Sequence, residues 1–208
     1  MYDIKKIYKA ISVEDAIKHL ESDPSSLIIA GGSDILIKIH NGKLENCSLV
    51  SIYGLDELRG VSLQDDGSIK IGSLTSFSHI SENNIIKKYI PVLGEAVDQV
   101  GGPQIRNIGT IGGNISNGVT SADSASTLFA LDAKLEITSS RGKKIIPISE
   151  FYIGPGKVNL KNGEILTAIY ITKENYENFT GHYIKYAMRN AMDIATLGCC
   201  VTCKLNVQ

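Results

Sequence analysis

Seven of the chain's twenty glycines, Gly94, Gly101, Gly102, Gly109, Gly112, Gly113 and Gly118, fall between positions 94 and 118, where uniform scatter would put roughly two or three. Glycine serves where a backbone must adopt positive φ or come close to another group. The fold is therefore constrained to bring main chain against something in this segment, which makes it the first place to look for function. A second glycine feature stands earlier. The apolar run Leu27-Ile28-Ile29-Ala30 leads straight into Gly31-Gly32-Ser33-Asp34. A short apolar run bounded by turn residues predicts a strand buried on both faces, here entering a helix over 35–41 that Asn41-Gly42 stops.

Around these features the periodicities predict an α+β protein. Residues 4–8 read as a strand. Helix 12–22 follows, with Ser12 as N-cap, Asp15 reaching back as in a capping box, and Val13, Ala16, Ile17 and Leu20 on one apolar face. With a buried strand over 47–52, the first fifty residues form a small β-α-β-α-β unit around a parallel three-stranded sheet. Past Leu58, Val61–Leu63 and Ile69–Ile71 flank Asp65-Asp66-Gly67 as a hairpin. Helices are predicted near 76–83, 91–100 and 124–131, a second hairpin over 134–148, and strands over 165–171 and 183–188. This larger unit has a mainly antiparallel sheet with helices. The expected divisions are 1–57, 58–176 and 177–208. Leu197, Cys199, Val201, Cys203 and Leu205 alternate over 196–207 as one strand face, which suggests a chain cut short or an element completed by another polypeptide.

Composition removes several classes. With 21 basic and 22 acidic residues the net charge is -1, which supplies no basic face for nucleic acid. No apolar run approaches the roughly 20 residues that span a bilayer. The start, Met1-Tyr2-Asp3-Ile4-Lys5-Lys6, lacks the features of a signal peptide, so a cytoplasmic location is expected. Cys47, Cys199, Cys200 and Cys203 are then free, buried thiols, and no metal site is expected: on a strand Cys200 points away from Cys199 and Cys203.

Familiar catalytic motifs fail. Gly154 and Gly156 would need a glycine at 159 for a Rossmann fingerprint, where Asn159 stands. No Gly-Lys pair has the glycine of a P-loop, and His19, His40, His79 and His182 are scattered. What survives is the pair of glycine segments, 31–34 and 109–114. In each, absent side chains let a phosphate approach the main chain while successive N–H groups point into one concavity. Two such loops from two units, with Thr110, Asn114, Asn117 and Asp123 nearby, predict a clamp for a pyrophosphate.

The same residues carry a family resemblance. Leu27–Ala30 with Gly31-Gly32-Ser33-Asp34, Ile71-Gly72-Ser73-Leu74-Thr75, Thr110-Ile111-Gly112-Gly113-Asn114, Thr120-Ser121-Ala122-Asp123, Gly163-Glu164-Ile165-Leu166 and Tyr183-Ile184-Lys185 resemble, in order and spacing, the FAD-binding subunits of molybdenum hydroxylases. Gly102-Pro103-Gln104-Ile105-Arg106-Asn107 and Lys185-Tyr186-Ala187-Met188-Arg189 look most similar to the bacterial xanthine dehydrogenase branch. The resemblance implies FAD held between two α/β sub-domains in a PCMH-type fold. Leu27, Ile28, Ile29, Ala30, Gly31, Gly32, Ser33 and Asp34 would bind it, with Gly109, Thr110, Ile111, Gly112, Gly113 and Asn114. Asn117 and Asp123 would bind ribityl, phosphate or adenosine groups, Ile165 and Leu166 would pack on the nucleotide, and Lys185 would lie near the flavin ring. Ser33 replaces a commoner threonine and keeps the hydroxyl. Relatives usually continue for about another hundred residues.

The resemblance implies an electron-transfer subunit of a purine-oxidising complex, with no catalytic side chain of its own. Its partners would be a molybdenum-cofactor subunit and a [2Fe–2S] subunit, with NAD⁺ as acceptor. Alternatives are a non-catalytic nucleotide-binding or assembly module, the FAD subunit of a nicotinate or carbon monoxide dehydrogenase, and a stand-alone flavoenzyme of related fold.

Overall fold

The computed structural model describes residues 2–204. Its opening elements are β1 (Ile4–Lys9), α1 (Val13–Ser22), β2 (Leu27–Ile29), α2 (Ile35–His40) and β3 (Cys47–Ser51). Ser12 starts α1 by accepting from the Asp15 amide at 3.1 Å. The Asp15 carboxylate reaches one residue further back than a capping box, to the Ile11 amide at 3.0 Å, and also accepts from the Tyr8 hydroxyl. The three strands pair in parallel in the order β1-β3-β2. The expectation that Leu27–Ala30 is buried on both faces is corrected: β2 lies at the sheet edge and its residues are half-buried, while the central strand β3 carries the fully buried Leu49 and Val50.

The larger unit runs β4 (Val61–Leu63), β5 (Ile69–Gly72), α3 (Phe77–Glu82), α4 (Asn84–Tyr89), α5 (Pro91–Asp98), α6 (Pro103–Ile108), α7 (Ile111–Ser116), α8 (Asp123–Ala130), β6 (Lys134–Ser139) and β7 (Gly142–Pro147). It continues with β8 (Tyr152–Gly154), β9 (Lys157–Val158) and β10 (Ile165–Ile171), and the hairpin β11 (Phe179–Tyr186) and β12 (Leu197–Lys204) follows. Five strands pair antiparallel in the order β4-β5-β10-β6-β7. Alternate residues Ile69, Ile71, Leu135, Ile137, Ile169 and Ile171 point to one face, where Phe77, Ile80, Leu93, Val97, Ile111 and Leu128 from the helices meet them in the main core. A second core joins the two units: Ala16, Ile17, Leu20, Val50 and Ile52 pack with Leu58, Leu74 and Ile165. No helix among the described residues is long and apolar enough to cross a membrane.

The glycine-rich stretch 101–118 is not a loop. It holds two short helices, α6 and α7, joined by a turn at Gly109-Thr110. Pro103 sits in the first turn of α6, where a missing N–H costs nothing. Helix α4 and the small β8–β9 pair were likewise not anticipated. Strand β11 starts before residue 183 because it pairs in full register with β12, Phe179 opposite Lys204 and Tyr186 opposite Leu197. Its alternation agrees with the sequence; Leu205 and the rest of the expected strand over 205–207 lie outside the described residues. The hairpin's inner face places Tyr183 on Val92 and Ala96. On the outer face Cys199 and Cys203 are exposed, which corrects the expectation of buried thiols; Cys200 is half-buried on the inner side and only Cys47 is buried.

Candidate functional site

The two glycine segments meet. A Cβ built on Gly31 would overlap the Ile108 carbonyl and lie 3.4 Å from the Gly109 Cα, so main chain touches main chain there. One built on Gly113 would lie 4.0 Å from the Ala30 Cβ. Gly32, at φ +79°, turns the chain from β2 into α2 in a conformation that side-chain-bearing residues rarely adopt. At the far ends of the two helices the Lys38 ammonium donates to the Asn117 Oδ1 at 2.6 Å. The segments leading into α2 and α7 are therefore in contact, and the two helices are bridged near their ends.

The segments are not equivalent, contrary to the sequence reading. In the first, the amides of Gly31, Gly32, Ser33 and Asp34 donate to no group among the described residues. In the second, most amides serve the fold. Gly109 donates to the Ile105 carbonyl, Ile111 to that of Thr75, Gly112 to that of Ser73 and Asn114 to that of Thr110. The Gly113 amide donates to the Thr110 hydroxyl, which caps α7. Only the Thr110 amide has no acceptor among the described residues. The reason is that 109–114 is a turn entering a helix whose first-turn amides are taken by the Thr75 and Ser73 carbonyls and by the Thr110 cap.

What the second segment offers is side chain. Asn114 Oδ1 accepts from the Ser124 hydroxyl at 2.7 Å, and Asn117 Oδ1 accepts from Lys38. The NH₂ of each carboxamide donates to no group among the described residues and remains a donor. Beside Ser124, at the first residue of α8, Asp123 is buried and receives the Tyr183 hydroxyl at 2.7 Å and the Lys185 ammonium at 3.0 Å, one on each carboxylate oxygen. Lys185 also donates to the Gln99 carbonyl at 2.9 Å. Burial, and then the Asp123 hydrogen bond, push the Tyr183 phenol far above its usual range, so it stays a donor.

The other expected residues distribute as follows. Leu27, Ile28 and Ile29 form β2 and Ala30 ends it, all half-buried. Ser33 is half-buried, while Asp34 is exposed at the start of α2 and makes no side-chain cap. Ile165 and Leu166 have their side chains inside the two apolar cores. Lys38, Ser124 and Tyr183 were missed. Two of them had a spacing signal: Lys38 stands one helical turn after Asp34, and Tyr183 shares a strand face with Lys185. Among the described residues no three His, Cys, Asp or Glu side chains are close enough together to hold a metal.

Two α/β units whose main chains touch beside a row of free amides define a class: an α+β domain built to take a phosphate-bearing cofactor at the junction. The comparisons with known proteins agree. The model of the FAD binding domain in molybdopterin dehydrogenase matches residues 2–173, so the chain belongs to this family and its cofactor is FAD. It is 45% identical over 206 residues to the xanthine dehydrogenase FAD-binding subunit of Escherichia coli O157:H7, covering 99% of this chain and 70% of that one. It is 32% identical over 193 residues to the nicotinate dehydrogenase FAD-subunit of Eubacterium barkeri, covering 91% and 64%. Carbon monoxide dehydrogenase from Hydrogenophaga pseudoflava superposes with a TM-score of 0.94 over 100% of this chain and 71% of its own; at 24% identity this speaks for the fold. The chain is thus an FAD-binding oxidoreductase subunit of the molybdenum hydroxylase family.

The residues present fit FAD. Gly31 leaves no room for a side chain where the units touch, and the four successive amides of Gly31–Asp34 donate to no group among the described residues.

Proposed function

We propose that this chain is the electron-relay subunit of a xanthine dehydrogenase-like complex, taking electrons from a [2Fe–2S] subunit and passing hydride to NAD⁺. A purine-like substrate would be oxidised on a separate molybdenum subunit, in the cytoplasm. The observation that supports this reading best is the 45% identity with the Escherichia coli subunit over nearly the whole chain. FAD supplies the exchange between one-electron and two-electron transfer.

The chain's own residues bind and orient. The Gly31–Asp34 amides, and that of Thr110, would donate to the oxygens of the diphosphate. Main-chain donors suit an anion because they are fixed and lose no side-chain freedom. Asn114 and Asn117 offer their NH₂ groups to hydroxyls of the cofactor. Asp123 holds Lys185 as a fixed cation at one side, and Ile105 and Ile108 of α6 leave apolar surface at the junction.

The test is direct. The purified chain with FAD should show bound-flavin absorbance, and with the molybdenum and iron–sulfur subunits present NADH should bleach it. Flavin that binds but is never reduced by NADH, in that complex, would replace NAD⁺ with another acceptor. Flavin absent even with partners present would instead favour the assembly-module reading.

A further inference from the structure

Three cations bond to groups around the junction, and only one of them is uncommitted. Arg106 is paired with Asp98 at 3.3 Å and also donates to the Val100 and Gly101 carbonyls. Lys185 is buried against Asp123. Lys38 has no carboxylate within ion-pair distance among the described residues; its ammonium rests on the neutral Asn117 Oδ1. This is a choice the local sequence does not favour. Asp34 stands four residues earlier on the same helix face, and an i,i+4 carboxylate–ammonium pair is ordinarily the nearer partner. Lys38 instead reaches across from the first unit to the second.

We propose that Lys38 is the countercharge for the cofactor's diphosphate, held across the junction by Asn117 until the anion takes over the ammonium. The inference rests on the FAD reading and adds to it a residue outside the glycine motifs. The electrostatic argument is one of sign. A diphosphate brings two negative charges to a segment that itself ends in the exposed carboxylate of Asp34, at the N-cap of α2. Amide dipoles are partial charges, and Arg106 and Lys185 are already neutralised by Asp98 and Asp123. Without Lys38 the Asp34 carboxylate is repulsive to the ligand. With it the charges of Asp34 and Lys38 cancel and the amides act unopposed. An ammonium needs one partner for each N–H, and a single amide oxygen leaves two donors free, so a phosphate oxygen can be taken before Asn117 is released. As Lys38 is solvent-exposed, the attraction is partly screened and depends on salt.

Charge and hydrogen bonding are separated by two variants of the full chain. Lys38→Met removes both, whereas Lys38→Gln keeps a donor for Asn117 and removes the charge. FAD affinity is titrated at low and high KCl for parent, both variants and Gly32→Val, with ADP as a competitor carrying the diphosphate without the flavin. The parent should bind FAD more weakly at high salt. Both Lys38 variants should bind about fivefold more weakly at low salt, the size of one partly screened ion pair. They should show a flatter salt dependence and lose ADP competition in the same proportion. A structural tie alone would instead make Lys38→Gln bind like the parent. Parent-like affinity and salt dependence in both variants overturns the proposal while leaving the FAD reading intact. A parent that binds no more FAD than Gly32→Val overturns both.

Discussion

Three glycines at the junction divide by what a methyl group would meet. At Gly112 an added Cβ falls 2.6 Å from the Ser73 Cβ and from its carbonyl oxygen, which is fixed main chain. Gly112→Ala should therefore lower stability by about 1–3 kcal/mol, the usual cost of overpacking. Gly31→Ala meets the Ile108 carbonyl and should behave alike. At Gly113 the nearest atom is the Thr110 hydroxyl at 2.9 Å, the end of a side chain that can rotate. Losing that cap costs about 1 kcal/mol, and alanine's better helix propensity returns about as much. The melting temperature of Gly113→Ala should stay near the parent's while FAD binding weakens, because the methyl faces Ala30 across the junction. Thermal melts and flavin fluorescence titrations of Gly112→Ala and Gly113→Ala check the pair. If both variants lose stability equally and neither changes FAD affinity, Gly113 does not face the cofactor.

Elements were legible in proportion to their length and regularity. Helix α1 announced itself through Ser12 and four apolar residues at helical spacing, and two of the three parallel strands through the buried runs over 27–30 and 47–52. Helices α6 and α7 did not, because six residues make barely two turns and hold no amphipathic period, and because Gly112 and Gly113 lower helix propensity. They are helical since tertiary contacts, the Ser73 and Thr75 carbonyls accepting from Gly112 and Ile111, supply what propensity does not. The candidate site was legible as glycine motifs with Thr110, Asn114, Asn117 and Asp123 nearby, and Lys185 only within the resemblance. Lys38 belonged to no motif.

Two of the charged ties between elements give predictions. Asp123 and Lys185, with side chains 7% and 8% exposed, tie β11 to α8. Asp123→Ala leaves a buried ammonium and phenol without their acceptor and should cost about 3–5 kcal/mol. Adding Lys185→Met should restore part of that loss, a coupling that urea denaturation of the double-mutant cycle measures. Additive losses would mean the pair contributes nothing. Glu136 ties β6 to β10 at the bulge around Thr167, accepting from the Thr167 hydroxyl at 2.7 Å and from Lys143 at 3.3 Å. Burial alone would raise its carboxyl, but these partners outweigh burial and hold it below the ordinary value of 4.5. A carboxyl depressed in the fold stabilises fully above that value and loses its contribution as pH falls below it. Glu136→Gln should flatten the decline in melting temperature below about pH 4.5. An unchanged acid profile would show that Glu136 is not among the groups that titrate there.

At the scale of the whole molecule, the cofactor bridges units that already share a core. Val50 and Ile52 of the parallel sheet pack with Leu74 and with Ile165 of the antiparallel one, so the units should unfold in one transition with or without FAD. Binding to the folded chain alone adds RT ln(1 + [L]/Kd), about 2.7 kcal/mol at a hundredfold excess over Kd. A single melt should therefore move upward as FAD is raised, without splitting. Gly32→Val supplies the control. A β-branched residue at φ +79° strains the turn between β2 and α2 and should lower the melt of the chain alone. The same strain displaces the four amides that have no acceptor of their own, so added FAD should leave the variant's melt where it was. A melt that splits in two would mean the Leu74–Ile165 contact with Val50 and Ile52 is too weak to couple the units. A Gly32→Val melt that still climbs with FAD would mean the first glycine segment is not where the cofactor is held.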